Sequence, residues 1–410
     1  MTMKQVSTEV KKPGKHTVWS VLLIVFFLLP SLLLLLIPLR GQKTESTAEN
    51  RPLTTFPPLS FSAFVKGEFQ QGFEDATADQ FLWAEEIKGA VGATEQFIFG
   101  AEQGILAGLL PDDLLLYSQV ADGYYHYGND EHRIVERPAE NAAETYDFSE
   151  NARWFNELSG VKKYVYLIRN SRVQDFSHDE KENSRVYEKL CAAYAADGYG
   201  CFIAKDYEDY CALFYQTDHH WNHIGADRGY REIMGLMGID EANLFMPVNE
   251  VTYEDTVFNG SYTKQAQLTC ADEPFSVYQY DLPKLKITLD GKKSTAYGNR
   301  KQYDAGKYNR DPNANHYALY YGGDYGEIVI DSGNEELPNL LVVADSYSNP
   351  VNLLLASHFG KTYIIDLRYY EDYAGHPFCA AEYAAEHGID TVLMMGDAGL
   401  FGTTGKEGSN

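Results

Sequence analysis

A chain of 410 residues with 44% hydrophobic and 14% aromatic side chains carries enough apolar surface for one large domain or two ordinary ones, which excludes an intrinsically disordered protein. A formal net charge of -25 at pH 7 excludes a general electrostatic attraction to nucleic acid or anionic lipid. The five cysteines, Cys191, Cys201, Cys211, Cys270 and Cys379, show no Cys-x-x-Cys pair or zinc spacing, and an odd number cannot all pair internally, so a Cys191–Cys201 bridge stays open.

Residues 1–16 hold Lys4, Lys11, Lys12 and Lys15, and residues 17–39 follow as an almost wholly apolar run of the length that crosses a bilayer as a helix. Only Arg40 and Lys43 come soon after it, so the positive-inside rule predicts a single-pass anchor in the cell membrane, with a cytoplasmic N-terminus and the remainder outside. A cleaved signal peptide is the competing reading. The small residues Ser46-Thr47-Ala48 favour it, and the length of the apolar run opposes it. Residues 40–58 read as a polar, then proline- and threonine-rich linker, with order expected from Leu59. Beyond it, Phe69, Phe73, Phe81, Trp83 and Ile87 recur in a polar background as in amphipathic helices.

The exported region, residues 59–401, alternates strand and helix. Strands are expected at 164–168 and 200–204, with a helix over 179–196 between them. A further helix over 222–237 has Ile224, Tyr230, Ile233, Met234 and Met237 on its apolar face. Between about 246 and 332 glycine, tyrosine and threonine dominate short alternating segments, which predicts a β-rich insertion. Apolar strands return at 340–344, 362–366 and 391–395, separated by helices at 351–359 and 379–386, and residues 402–410 form a polar, mobile tail. The fold class expected is α/β: a parallel sheet flanked by helices, with a β-rich insertion, behind one N-terminal transmembrane helix.

Chemistry concentrates in Asp218-His219-His220-Trp221, where a carboxylate, two imidazoles and an indole are adjacent and His223 follows closely. In an extended segment alternate residues point the same way, so Asp218 can orient and charge His220. The same residues read otherwise as a capped polar turn, or as a metal cluster of Asp218, His219, His220 and His223. A nucleophile candidate lies downstream in Leu340-Leu341-Val342-Val343-Ala344-Asp345-Ser346-Tyr347-Ser348-Asn349-Pro350, an apolar strand that ends in a polar cluster before a helix. Ligands of α/β sheets bind at the carboxyl ends of strands, so Ser346 is well placed to attack, with His220 as base and its own N–H in an oxyanion hole. Gly322 and Gly323 are candidates for the second oxyanion donor, and Tyr347 and Asn349 for further substrate or oxyanion contacts.

With Glu49-Asn50-Arg51-Pro52-Leu53, Thr217-Asp218-His219-His220-Trp221, Asp345-Ser346-Tyr347-Ser348-Asn349-Pro350 and Ile365-Asp366-Leu367-Arg368-Tyr369-Tyr370 in this order, the chain resembles the bacterial DHHW family, related to the alginate O-acetyltransferase proteins of the SGNH hydrolase superfamily. The resemblance implies an SGNH-hydrolase-like fold and a triad of Asp218, His220 and Ser346, with the serine last rather than first. Ala344 stands where the family pattern has the glycine of Gly-Asp-Ser, and His219 is the middle residue of the Asp-x-His-Trp segment. It also implies a serine O-acetyltransferase or acetylesterase that acts on an extracytoplasmic polysaccharide, and a multispanning membrane O-acyltransferase as partner; no cofactor or bound metal is expected. Arg368 and Asp366 would contact substrate or brace the site, and Trp221 would pack behind the imidazole or reach substrate. A noncatalytic polysaccharide-binding protein on the same fold is the alternative.

Overall fold

A computed structural model of the chain describes Leu28, Ile37 and residues 41–404, except 47, 48, 50, 59, 82, 108–115, 140, 255, 269–272, 299, 301, 302 and 304–313. The expected membrane span at 17–39 therefore lies outside the described residues, apart from Leu28 and Ile37. Among the described residues no helix is long and apolar enough to cross a membrane. Cys270 also falls outside, and Cys191, Cys201, Cys211 and Cys379 are free thiols.

The chain divides into two units, residues 1–91 and 92–410. In the first, order begins earlier than Leu59. Glu45–Ser46 pairs antiparallel with Arg51–Pro52, and helices run over Phe61–Lys66 and Glu68–Gln80. The Arg51 guanidinium forks onto Asp79 at 2.6 and 3.0 Å and also reaches Glu49 at 2.8 Å. The Gln80 side-chain amide bonds the backbone of Lys43 and Thr54. These bonds to a helix are what order a stretch whose composition reads as a tether.

The second unit is built on an eight-stranded sheet: β1 (Lys162–Ile168), β2 (Gly198–Phe202), β3 (Lys286–Leu289), β4 (Lys292–Ser294), β5 (Glu327–Asp331), β6 (Leu340–Ala344), β7 (Lys361–Ile365) and β8 (Thr391–Gly396), in the spatial order β4-β3-β5-β7-β6-β8-β1-β2. The strands β7, β6, β8, β1 and β2 are mutually parallel, whereas β5, β3 and β4 extend the sheet by antiparallel pairing. The sheet is thus mixed rather than wholly parallel. Much of the expected β-rich insertion belongs to this main sheet, while Pro247–Tyr253 and Phe275–Tyr280 make a separate antiparallel pair.

Helices cover both faces of the parallel part, so its strands are apolar at nearly every position. Alternate residues divide between two cores: Tyr164, Tyr166, Ile168, Leu340, Val342, Leu393 and Met395 point to one, and Val165, Leu167, Leu341, Val343, Val392 and Met394 to the other. The first is closed by α1 (His223–Leu236) through Tyr230, Ile233 and Met234, and the second by helices at Ser149–Glu157 and Ala380–His387. The helix expected over 179–196 is two short helices, Glu180–Asn183 and Arg185–Ala193, joined at Ser184. A three-stranded antiparallel sheet at Tyr117–Ala121, Tyr124–Tyr127 and Asp130–Glu136 was not expected. Thr403–Thr404, within the expected polar tail, pairs with Tyr146–Asp147.

Candidate active site

The loop that carries Asp218 runs from a short helix, Tyr207–Leu213, to α1 and is closed by a bridge from Phe214 to Trp221. Buried partners fix it from below. Arg133 donates to the carbonyls of Cys211, Phe214 and Tyr215, and the Glu273 carboxyl accepts from the N–H groups of Gln216 (2.6 Å) and Thr217 (3.0 Å). Burial pushes Glu273 up to about 7, against the opposing pull of these hydrogen bonds and of Arg133. Trp221 is fully buried and lies over Gly229, where a Cβ would come within 2.3 Å of its ring.

Within this frame the Asp218 Oδ1 lies 2.6 Å from His220 Nδ1 and also accepts the His220 N–H at 2.9 Å. Its Oδ2 accepts the N–H of Ser261 at 2.7 Å. Gly260 is required beside it, because a Cβ there would meet the Asp218 Cβ at 2.4 Å. Burial works to raise the Asp218 pKa, but the adjoining His220 and His219 and the hydrogen bonds from His220 outweigh it and hold the carboxyl well below the usual carboxylate range. The acid is therefore ionised, as the partner of an imidazolium must be.

Ser346 sits where β6 gives way to a short 3-10 turn, Ser346–Ser348. Asp345 caps that turn. Its Oδ1 accepts the Tyr347 N–H at 3.0 Å, and its Oδ2 accepts the Asp397 N–H at 2.9 Å, which ties the ends of β6 and β8 together. Burial, then the nearby Asp397, pushes the Asp345 carboxyl well up. The Ser346 Oγ lies 2.7 Å from His220 Nε2, so a hydrogen-bonded line Asp218–His220–Ser346 joins residues 126 positions apart in the chain. Asp218 and His220 are buried, while Ser346 keeps part of its surface open.

Other expected site residues fall elsewhere. The Gly322 N–H closes α2 (His316–Tyr321) onto the Ala318 carbonyl at 2.9 Å and so is not a free oxyanion donor. Gly323 contributes its carbonyl to the Tyr297 hydroxyl at 3.1 Å. Asn349 uses both ends of its amide, towards Tyr297 (2.7 Å) and Asp324 (2.9 Å). Trp221 and Tyr347 are buried, and the Tyr347 hydroxyl bonds the His219 carbonyl and the Asn170 amide. Both are braces rather than substrate contacts. Arg368 forks onto Asp366 and reaches Asp324 at 3.0 Å, with about half of its side chain exposed. Of the four residues considered for a metal cluster, Asp218, His219 and His220 stand close together, whereas His223 turns to Glu250 at 3.0 Å. His219 Nδ1 lies 2.6 Å from the Ser261 hydroxyl, and burial, then His220, pushes its pKa well below the ordinary imidazole value.

Several supporting residues went unread in the sequence. The Tyr317 ring stacks on the His220 imidazole at 4.0 Å and 15°, and its hydroxyl donates to the Ser346 carbonyl at 2.9 Å. Ser261 and Glu273 lie far from the motif in sequence. Asn259-Gly260 is the one local signal, a turn dipeptide, that could have pointed to the first.

Neither a family model nor a curated protein sequence matches the chain. Solved structures do. A DHHW family protein from Eubacterium siraeum superposes with a TM-score of 0.51 at 17% identity, over 71% of this chain and 94% of that one. The chain has the fold of that DHHW protein. PatB1 of Bacillus cereus superposes with a TM-score of 0.51 at 21% identity, over 67% of this chain and 96% of its own. The same protein bearing a sulfonyl adduct gives 0.50 at 20% identity, over 67% and 94%.

Proposed function

We propose that this chain is a serine O-acyltransferase or esterase, with acetyl as the acyl group, that acts on a cell-surface or secreted polysaccharide through Asp218, His220 and Ser346. The observation that carries the reading is the unbroken line of hydrogen bonds at 2.6 and 2.7 Å, with an ionised, buried acid at one end and a partly open hydroxyl at the other. Ser346 Oγ attacks the acyl carbonyl carbon as its proton passes to His220 Nε2, and the tetrahedral oxyanion forms beside the Ser346 N–H. The His220 proton then goes to the departing oxygen as its bond to carbon breaks, leaving the acyl group on Ser346. In the second half His220 takes the proton of an incoming hydroxyl, whose oxygen attacks the acyl-serine, and returns it to Ser346 Oγ. A sugar hydroxyl in that step gives transfer, and water gives hydrolysis. Asp218 holds the imidazole tautomer that receives the proton and stabilises the imidazolium.

The positive-inside pattern and the apolar run at 17–39 support placing this chemistry outside the cell membrane on a single-pass anchor. An acyl donor would then come through a multispanning membrane O-acyltransferase. The test uses covalent labelling. A sulfonyl fluoride or a fluorophosphonate attaches to Ser346 in the full-length chain, and Ser346→Ala abolishes the adduct. Labelling unchanged in Ser346→Ala overturns the proposal.

A further inference from the structure

Two adjoining cavities in the second unit are lined by no residue of the Asp218–His220–Ser346 line. One is an open groove of about 490 Å³ bounded by Gln279, Tyr280, Asp281, Arg300 and Tyr320, within the size range of small-ligand sites. The other holds about 20 Å³, room for roughly one water, and is lined by Tyr280 and Arg300 together with His223 and Pro350. Arg300 borders both. Its guanidinium lies over the Tyr320 ring at 5.2 Å, and its Nε is buried without a hydrogen-bond partner. His223, also buried, leaves Nδ1 without a partner on the same inner cavity. What Arg300 and Asp281 offer a ligand is the charged ends of their side chains at the outer groove, beside the rings of Tyr280 and Tyr320.

We infer that the groove is a subsite for a neutral glycosyl unit of the polymer, an assignment that rests on the polysaccharide reading above. Vicinal sugar hydroxyls accept hydrogen bonds from a guanidinium and donate them to a carboxylate, and Arg300 and Asp281 offer that pair. The rings of Tyr280 and Tyr320 suit the apolar face of a sugar, and the Tyr280 hydroxyl is held by Asp227 at 2.9 Å. Asp281 opposes an anionic sugar, because its charge stands in the same groove as the cation. Elements that line the cavities also reach the triad: α2 presents Tyr320 and Tyr321 to them and stacks Tyr317 on His220, and Pro350 closely follows Ser346. A sugar held at Arg300 would therefore set the register of the polymer relative to the reacting unit.

The experiment measures binding by isothermal titration of a neutral glucose tetrasaccharide, and of a tetra-uronate of equal length, to the full-length chain. The neutral sugar should bind the wild type more tightly than the uronate. Arg300→Ala should weaken it by ~10-fold or more, the loss expected when charge-assisted bonds are removed. Asp281→Asn, at an exposed position where folding is not at stake, should weaken it in the same direction. Equal affinity in both variants, no binding of the neutral sugar, or preference for the uronate overturns the assignment. Ser346 labelling in the same preparations reports separately on the triad. Sugar binding that is sensitive to Arg300 in a chain whose serine does not label would uphold the subsite while removing the catalytic proposal.

Discussion

Glu273→Ala tests how the motif loop is held. The carboxyl accepts the N–H groups of Gln216 and Thr217 immediately before Asp218, and its removal leaves two backbone donors in a dry setting. At about 1–3 kcal/mol for each unsatisfied donor, the cost is about 4 kcal/mol. The pH dependence gives the prediction its second arm. Burial raises this carboxyl from an ordinary 4.5 to about 7, so the folded state binds more protons than the unfolded state between those values. Its contribution is therefore fully present below pH 4.5 and declines as the pH rises towards 7, by about 3 kcal/mol at 1.36 kcal/mol per unit. Urea unfolding of wild type and variant should thus differ by about 4 kcal/mol near pH 4.5 and by only about 1 kcal/mol at pH 8. A gap that stays constant across this range, or one below about 1 kcal/mol at the lower pH, would refute the reasoning. The variant should also slow labelling of Ser346, because the same loop positions Asp218.

Asp218→Asn keeps the shape of the site but loses the charge that stabilises the imidazolium, and turnover of an acetyl ester should fall by ~10⁴. The carboxyl is held below its usual range, so its contribution to folding is present above the unfolded carboxylate pKa and is lost as the pH falls into the acid range; acid-unfolding curves of wild type and Asp218→Asn should converge there. Gly229→Ala places a Cβ 2.3 Å from the Trp221 ring and should destabilise the chain by ~1–3 kcal/mol, read as a lower urea midpoint. Tyr317→Leu removes the ring that stacks on His220 and the hydroxyl that holds the Ser346 carbonyl, and should lower kcat for ester hydrolysis more than it raises KM.

The sequence was most legible where burial leaves the strongest signature. The runs at 340–344 and 392–395 are apolar at consecutive positions because each strand faces two cores, and they emerge as β6 and the middle of β8. The pairing of Asp218 and His220 was legible because it is local, although it is made in a bend in which Asp218 also accepts the His220 N–H, and not in the extended segment expected. The contributions of Glu273, Ser261 and Tyr317 were not, since each comes from a distant segment and a lone glutamate, serine or tyrosine carries no periodic signal. The hairpins before β1 were missed although Asp122-Gly123 and Gly128-Asn129 mark their turns, with both glycines at positive φ. Gly322 misled for a related reason. A pair of glycines reads equally as an oxyanion loop and as a helix stop, and the positive φ of Gly322 at the end of α2 selects the second.

The last strand of the main sheet lies between β6 and β1. The serine is delivered by β6 and the histidine by the loop before α1, beyond β2, so until residues 391–396 have left the ribosome the two flanking portions of the sheet lack the strand that pairs with both at their shared seam. Closing that seam is a late, long-range event in folding. Chains cut short before it lack the strand that joins the nucleophile's side of the sheet to the base's side, and the ability to react becomes a check that β8 has been made and docked.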